Sequence, residues 1–259
     1  MSWEMAAVVA VRAGSQRIKN KNLQMLGNTT LLQRKLNILM NVWEQGHLDA
    51  VIINSDSDEM LDIGKDLGLY THYRDPYYAS SECTNTEFHQ HIGQVTDADN
   101  IFLAPVCSPF ITMETHIDAI QLYNSERWDS LTSVTEVKNH LWMGGHPLNY
   151  DLEDVPNSQD LPDVVKLNYG ITIAKREVMK DLGRVVGDDP GFLKLNEKES
   201  IDIDTPFDLA VARGILNKME ELSDVKYNRY NNIDGVELRD VIGCGTIACN
   251  INDQKITKR

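Results

Sequence analysis

Two short stretches carry residue types whose spacing could do chemistry. The first reads Arg12-Ala13-Gly14-Ser15-Gln16-Arg17-Ile18-Lys19-Asn20-Lys21-Asn22. It holds four cations and no acid, in a chain whose formal charge is −14. Local positive charge beside a glycine that lets backbone approach a ligand suits a polyphosphate. This loop is therefore the first candidate for a nucleoside triphosphate site. The second stretch reads Ile201-Asp202-Ile203-Asp204-Thr205-Pro206. If residues 200–204 form a strand, Asp202 and Asp204 share one face. Two carboxylates so placed repel each other unless a cation joins them. Magnesium takes one or two protein carboxylates together with phosphate oxygens, so a phosphate site and this pair would complete each other. A helix cap followed by a surface acid fits the same letters.

Other polar groups are less specific. Asn54-Ser55-Asp56-Ser57 ends an apolar run and suits a helix cap. Pro105-Val106-Cys107-Ser108-Pro109 is a bend fixed by two prolines, whose side chains could face a ligand. Arg74 is a lone cation on an irregular segment. His89 and His91, two apart on a predicted helix, do not share a face. Neither GxxxxGK[ST] nor GxGxxG occurs, so a P-loop ATPase and a dinucleotide-binding fold lack their fingerprints.

The elements that must position these residues alternate along the first half. A buried strand at 6–11 leads into the basic loop. A helix begins near Thr30, with Leu32, Leu36, Leu39 and Met40 on one face. A strand at 50–53, a helix at 58–67 closed by Gly68, and a short strand at 69–72 follow. Thr84-Asn85-Thr86-Glu87 is a capping box that opens a helix to about Val95. A strand at 101–106, a helix at 114–123 and a strand at 130–134 complete the rhythm. The pattern predicts an α/β fold with a doubly wound, mostly parallel sheet, where ligands sit at the carboxyl ends of strands. Residues 138–166 break the rhythm and read as an excursion: a flap, an arm contacting another subunit, or a solvated loop. A strand at 170–174, a helix at 175–182 stopped by Gly183, the strand at 200–204 and a helix from Pro206 to about Leu222 close a core of residues 1–222. Residues 223–259 read as a C-terminal extension.

The 259 residues suit one α/β domain with additions. The acidic balance argues against a nucleic-acid or anionic-membrane surface. No run of 18 apolar residues marks a membrane span, and residues 1–5 lack the basic start of a signal peptide. Cys83, Cys107, Cys244 and Cys249 form no CxxC pair and read as free thiols of a cytoplasmic protein.

Taken together, the motifs resemble the cytidylyltransferases that activate sialic acids and related nonulosonic acids as CMP-sugars. More distantly they are similar to the enzyme that activates 3-deoxy-manno-octulosonic acid. That family's A-R-G-G-S-K-x-x-x-x-K-N loop is matched by Val11 to Asn22. Its V-S-T-D is matched by Ile53-Asn54-Ser55-Asp56, and loosely its R-P-x-x-L-A by Arg74-Asp75-Pro76-Tyr77-Tyr78-Ala79. Its N-G-x-I-Y-I is altered to Asn168-Tyr169-Gly170-Ile171-Thr172-Ile173. Its D-I-D-T-P-x-D is intact from Asp202 to Asp208. The resemblance covers roughly residues 6–216.

It implies a nucleotide-diphospho-sugar transferase-like fold, a homodimer, and transfer of CMP from CTP to an acidic acceptor with release of pyrophosphate. CTP would lie against Arg12, Ala13, Gly14, Ser15, Lys21, Asn22 and Arg74. Asp202 and Asp204 would bind Mg²⁺, and Arg12, Lys21 and Asp204 would carry the chemistry. Two departures stand out. The loop's lysine is Gln16 here, with Arg17 and Lys19 as candidate replacements. Where relatives read Q-P-T-S-P-L-R, this chain has Ala104 and Ile111 in place of the Gln and Arg. The expected acceptor is therefore a nonulosonic acid other than N-acetylneuraminic acid. A phosphonate or other small acid is the alternative, and an inert nucleotide-binding protein the alternative of another class. Lys166 and Arg176 are the nearby cations for an acidic acceptor.

Overall fold

The computed structural model describes residues 3–230. The chain divides into two compact units, Met1–Ala212 and Arg213–Arg259. The first holds the sheet and every candidate site residue.

Strand β1 (Trp3–Val11) is an interior strand of a seven-stranded sheet. After the basic loop, β2 (Met25–Leu26) and β3 (Thr29–Thr30) make a minimal hairpin leading to α1 (Leu31–Glu44). Then come β4 (Ala50–Ser55), α2 (Asp58–Asp66), β5 (Tyr70–Tyr73), the short α3 (Pro76–Ala79), α4 (Asn85–Val95), β6 (Ala98–Leu103), α5 (Met113–Ser125) and β7 (Ser130–Val137). The two-residue strands β8 (Trp142–Met143) and β9 (His146–Pro147) form a hairpin within the excursion. Beyond it lie β10 (Val164–Lys175), α6 (Arg176–Lys180), β11 (Pro190–Lys194) and α7 (Pro206–Tyr230). The sheet order is β11-β7-β10-β6-β1-β4-β5. All neighbours are parallel except β10, which runs antiparallel to both β6 and β7. The doubly wound, mostly parallel expectation holds.

Local chemistry explains the boundaries. Thr30 with Gln33, and Thr84 with Glu87, form complete capping boxes at the starts of α1 and α4. Ser57 caps α2, and Gly68 leaves it at φ 73°. Gly183 stands at φ 66° after α6. On one sheet face Ala6 and Val8 join Ile92 of α4 and Met179 of α6 in a hydrophobic core cluster. Alternation turns Ala7 and Val9 to the other face. There α1 and α5 are tied by Lys35 Nζ to His116 Nε2, 3.0 Å. Desolvation lowers the Lys35 ammonium to about 8.

Two expectations fail. Residues 200–204 are not a strand. Turn bonds, Ser200 N to Asn196 O (2.9 Å) and Ile201 N to Lys198 O (3.3 Å), satisfy the backbone there. Ile203 is fully buried, with its N–H on Cys107 O at 2.9 Å. The alternating apolar letters come from this anchor, not from a sheet position. The edge strand is instead β11, whose Pro190 and Gly191 disguise it. Proline is tolerated at the start of an edge strand. A Cβ at residue 191 would come within 2.2 Å of the Trp128 ring, so glycine is required there. The last helix also outruns its expected end and reaches Tyr230. Residues 231–259, with Cys244 and Cys249, lie outside the described residues.

Candidate active site

At the carboxyl ends of β1, β5 and β6 the loops enclose a cavity of about 640 Å³. Its walls include Arg12, Arg17, Lys21 and Arg74, with Asp204 the sole acid among the described lining residues. A pocket this cationic, in a chain of charge −14, focuses positive potential on any anion that enters.

Backbone carbonyls hold Arg12, Lys21 and Arg74, and the Asp204 side chain holds Arg17. Arg12 donates to Ala79 O at 2.8 Å, which leaves most of its guanidinium N–H groups available. Lys21 donates to Ile203 O at 2.9 Å and to Asp204 Oδ1 at 3.2 Å. Arg17 reaches the same Asp204 oxygen at 2.9 Å. Asn22 is buried and donates to Arg12 O at 3.0 Å, fixing the end of β1. Arg74 is buried, donates to Val11 O, and lies 5.5 Å over the Phe88 ring. Its Nε is buried with no partner, and desolvation lowers its pKa. A buried guanidinium with an unfilled N–H is held at a cost in desolvation.

The structure thus gathers Arg12, Ser15, Lys21, Asn22, Arg74 and Asp204 around one cavity. It leaves Ala13, Gly14 and Asp202 out of the lining. The Ala13 N–H is taken by Asp56 Oδ1 at 3.0 Å, so Asp56 clamps the loop in addition to lying beside the helix cap. A Cβ on Gly14 would meet nothing within 4 Å, so no close approach demands glycine there. Gln16 donates to Ser81 Oγ at 2.9 Å. Of its two charged neighbours, Arg17 lines the cavity and Lys19 does not. Arg176 lines neither described cavity. It donates to Gly93 O at 2.8 Å and pairs with Asp97 at 3.3 Å, closing the end of α4. Lys166 is exposed and lines neither described cavity.

Asp202 sits beside the lining. Burial is the main cause of its raised pKa, and the Asp204 charge adds to it, while a hydrogen bond from Cys107 opposes it. The Cys107 thiol is itself pushed up to about 12, first by burial and then by Asp202. Asp202 Oδ1 is buried without a hydrogen-bond partner. The D-x-D acids therefore interact, although no strand aligns them. The Asp208 carboxylate accepts from Asp204 N, Thr205 N and Thr205 Oγ1 at 3.0, 2.7 and 2.8 Å, which fixes the turn carrying Asp204.

Comparison with known proteins is decisive for the family. A family profile described as cytidylyltransferase matches residues 6–141, just over half of the chain. The chain belongs to the cytidylyltransferase family. It is 23% identical to N-acylneuraminate cytidylyltransferase A of Danio rerio over 82% of this chain and 50% of that protein. It is 24% identical to the CMP-N,N'-diacetyllegionaminic acid synthase of Legionella pneumophila over 83% of this chain and 97% of that one. The chain thus spans about half the length of the N-acylneuraminate relative and nearly all of the legionaminic one. A CMP:2-keto-3-deoxy-manno-octonic acid synthetase solved with CTP shares the fold, with TM-score 0.62 and 12% identity over 83% of this chain and 99% of that one.

Within this member of the family, several lining residues escaped sequence reasoning. Tyr78, Ser80, Ser81, Cys83, Asn85 and Phe88 all come from the segment between β5 and the first turn of α4. The capping box at Thr84 was the available signal, because it fixes where Asn85 and Phe88 begin a helix. Ala104 and Ile111, in place of the relatives' Gln and Arg, are both buried. Ile111 lies under Gly170, where a Cβ would come within 2.6 Å of Ile111 Cδ1.

Proposed function

We propose that this protein transfers CMP from CTP to an acidic acceptor of the nonulosonic-acid type and releases pyrophosphate. The observation that carries the reading is the cavity walled by Arg12, Arg17, Lys21 and Arg74 in an otherwise strongly acidic chain.

The acceptor hydroxyl oxygen attacks the α-phosphorus and gives up its proton to solvent, and the bond from that phosphorus to the β-bridging oxygen breaks. Negative charge grows on the departing pyrophosphate. Arg12, Arg17 and Lys21 stabilise that charge, and because backbone and Asp204 already hold them, little reorganisation is needed. Asn22 keeps Arg12 in register, and the unfilled Arg74 Nε receives a ligand acceptor atom. Asp202 and Asp204 suit a hard divalent ion. One offers a buried oxygen without a partner, and their charges already perturb each other. Phosphate oxygens would complete the shell. Magnesium held there by Asp202 and Asp204 would supply further neutralisation of phosphate charge.

The exposed hairpin β8–β9, with Trp142 and Met143 more than half exposed, supports a homodimer in which this arm contacts a second copy. Free Cys83 and Cys107 suit a reducing cytoplasm. No helix of the described residues is long and apolar enough to cross a membrane.

The test is a pyrophosphate-release screen with CTP and magnesium fixed and a panel of nonulosonic acids, other acidic sugars and phosphonates varied. Release with at least one nonulosonic acid is expected, with N-acetylneuraminic acid a poor substrate. Absence of release with every acid overturns the reading.

A further inference from the structure

One carboxylate oxygen in the cavity is shared by two cations. Arg17 Nη2 donates to Asp204 Oδ1 at 2.9 Å, and Lys21 Nζ donates to the same oxygen at 3.2 Å. All three side chains line the same cavity. A second cavity of about 300 Å³ has no Lys, Arg, Asp or Glu among its described walls. The charge that balances a triphosphate therefore comes from the first cavity, where Asp204 already engages two of the four cations.

The two cations are not held alike. Lys21 is largely buried and has a second partner, Ile203 O at 2.9 Å. Arg17 is 65% exposed, and its described hydrogen bond goes to Asp204 alone. Asp208 also feels the Arg17 charge. Its carboxylate, however, is engaged by Asp204 N, Thr205 N and Thr205 Oγ1. No second acid is therefore ready to take Arg17 when Asp204 is used elsewhere.

An ion pair and a divalent cation compete for the same carboxylate lone pairs. A guanidinium can only donate. If Asp204 Oδ1 ligates a cation, the Arg17 N–H groups that faced it need another acceptor. Phosphate oxygens match the guanidinium fork, and Arg17 lines the cavity that the triphosphate enters. The side chain need not travel, because it exchanges one acceptor for another in place.

We infer that Arg17 is a metal-conditional phosphate ligand: it pairs with Asp204 while the acid site is empty and turns to the triphosphate once a divalent cation occupies Asp204. The inference rests on the CTP reading above. It adds a coupling between metal and nucleotide that runs through Arg17, beyond the direct contact of metal with phosphate. By linkage the coupling acts equally in both directions.

The experiment measures CTP affinity by calorimetry without acceptor, so that no turnover occurs, once in EDTA and once with saturating Mn²⁺ as the probe ion. With Mn²⁺, Arg17→Ala is expected to weaken CTP binding about 10-fold, the scale of one hydrogen bond to a charged group. In EDTA the loss should stay within about 2-fold. The difference of about 5-fold is the most that an exposed ion pair withholds. Arg12→Ala, whose guanidinium rests on Ala79 O rather than on an acid, should lose the same factor in both conditions. In an Asp204→Asn background, which has no charge to hold Arg17, Arg17→Ala should weaken CTP about 10-fold even in EDTA. Equal losses in Arg17→Ala with and without Mn²⁺ overturn the inference and make Arg17 an unconditional phosphate cation, with the CTP reading intact. No loss in either condition, or a loss within 2-fold in the Asp204→Asn background, also overturns it. Absence of CTP binding by the parent in both conditions overturns the CTP reading, and the inference with it.

Discussion

Lys21 and Asp204 are 183 positions apart in the chain and 3.2 Å apart in space. Lys21 also holds the carbonyl of Ile203, whose N–H is bonded to Cys107 O. One ammonium thus ties the loop after β1 to the acid motif before α7 and to the bend after β6. The contact lets a cationic phosphate cradle and a carboxylate pair act on the same ligand.

Removing cations from this cradle should separate binding from folding. Arg17 is largely exposed, and an exposed ion pair contributes little to stability. Arg17→Ala should therefore leave unfolding free energy within about 0.5 kcal/mol of the parent, while CTP affinity falls. Chemical denaturation beside calorimetry checks both. A stability loss as large as the binding loss would make Arg17 a structural residue.

Asp202→Asn and Asp204→Asn should each lower turnover by about 10²–10³-fold or more, the scale for removing one preorganised electrostatic group. The measurement is the rate at saturating CTP and magnesium, beside circular dichroism to show that the fold persists. Near-parental rates in both variants would rule out the metal assignment.

Acid should destabilise the protein through His91. This side chain is buried, stacks on Tyr78 at 4.0 Å, and faces His72, Arg74 and Asp75. Burial first, and then the charges of His72 and Arg74, lower it to about 4. A folded pKa below the unfolded value of about 6.5 means that the unfolded chain binds the extra proton between those limits. Stability contributed by neutral His91 is thus full above pH 6.5 and is lost as pH falls towards 4. The slope for one such group is at most about 1.4 kcal/mol per pH unit. His91→Phe should flatten the pH dependence of urea unfolding in that window. An unchanged slope would show that His91 is not the titrating group.

Gly93 lies where α4 meets α6. A Cβ there would stand 2.5 Å from the backbone nitrogen of Lys180, an atom that no rotamer change can move aside. Gly93→Ala should cost about 1–3 kcal/mol through overpacking, read as a lowered urea midpoint. A neutral result would mean that the α4–α6 contact is loose in solution.

Much of this was legible in the letters, for local reasons. Capping boxes at Thr30 and Thr84 and the glycines at 68 and 183 act on their own neighbours, so helix boundaries follow from sequence. The cations of the loop were visible because they oppose the charge of the chain. The rest depends on distant partners. The Ile201/Ile203 alternation imitates a strand, but Ile203 is an anchor on Cys107. The strand β11 hides behind Pro190 and Gly191 because its glycine serves Trp128. Arg176 looks like a pocket cation until the end of α4 is seen to need it. The left-handed Tyr169, at φ 54°, carries no local letter signal, since its conformation is imposed by Asn168 and Ser133 across two strands.

The central claim is that the loop from Arg12 to Asn22 is a CTP site. Calorimetric titration of CTP, UTP, GTP and ATP into the parent protein and into Arg12→Ala and Lys21→Ala tests it most directly. CTP should bind the parent at least ~10-fold more tightly than the other three, a difference of about 1.4 kcal/mol, and each substitution should weaken it by a similar factor or more. Equal binding of all four triphosphates, or an unchanged CTP affinity in both variants, would contradict the account.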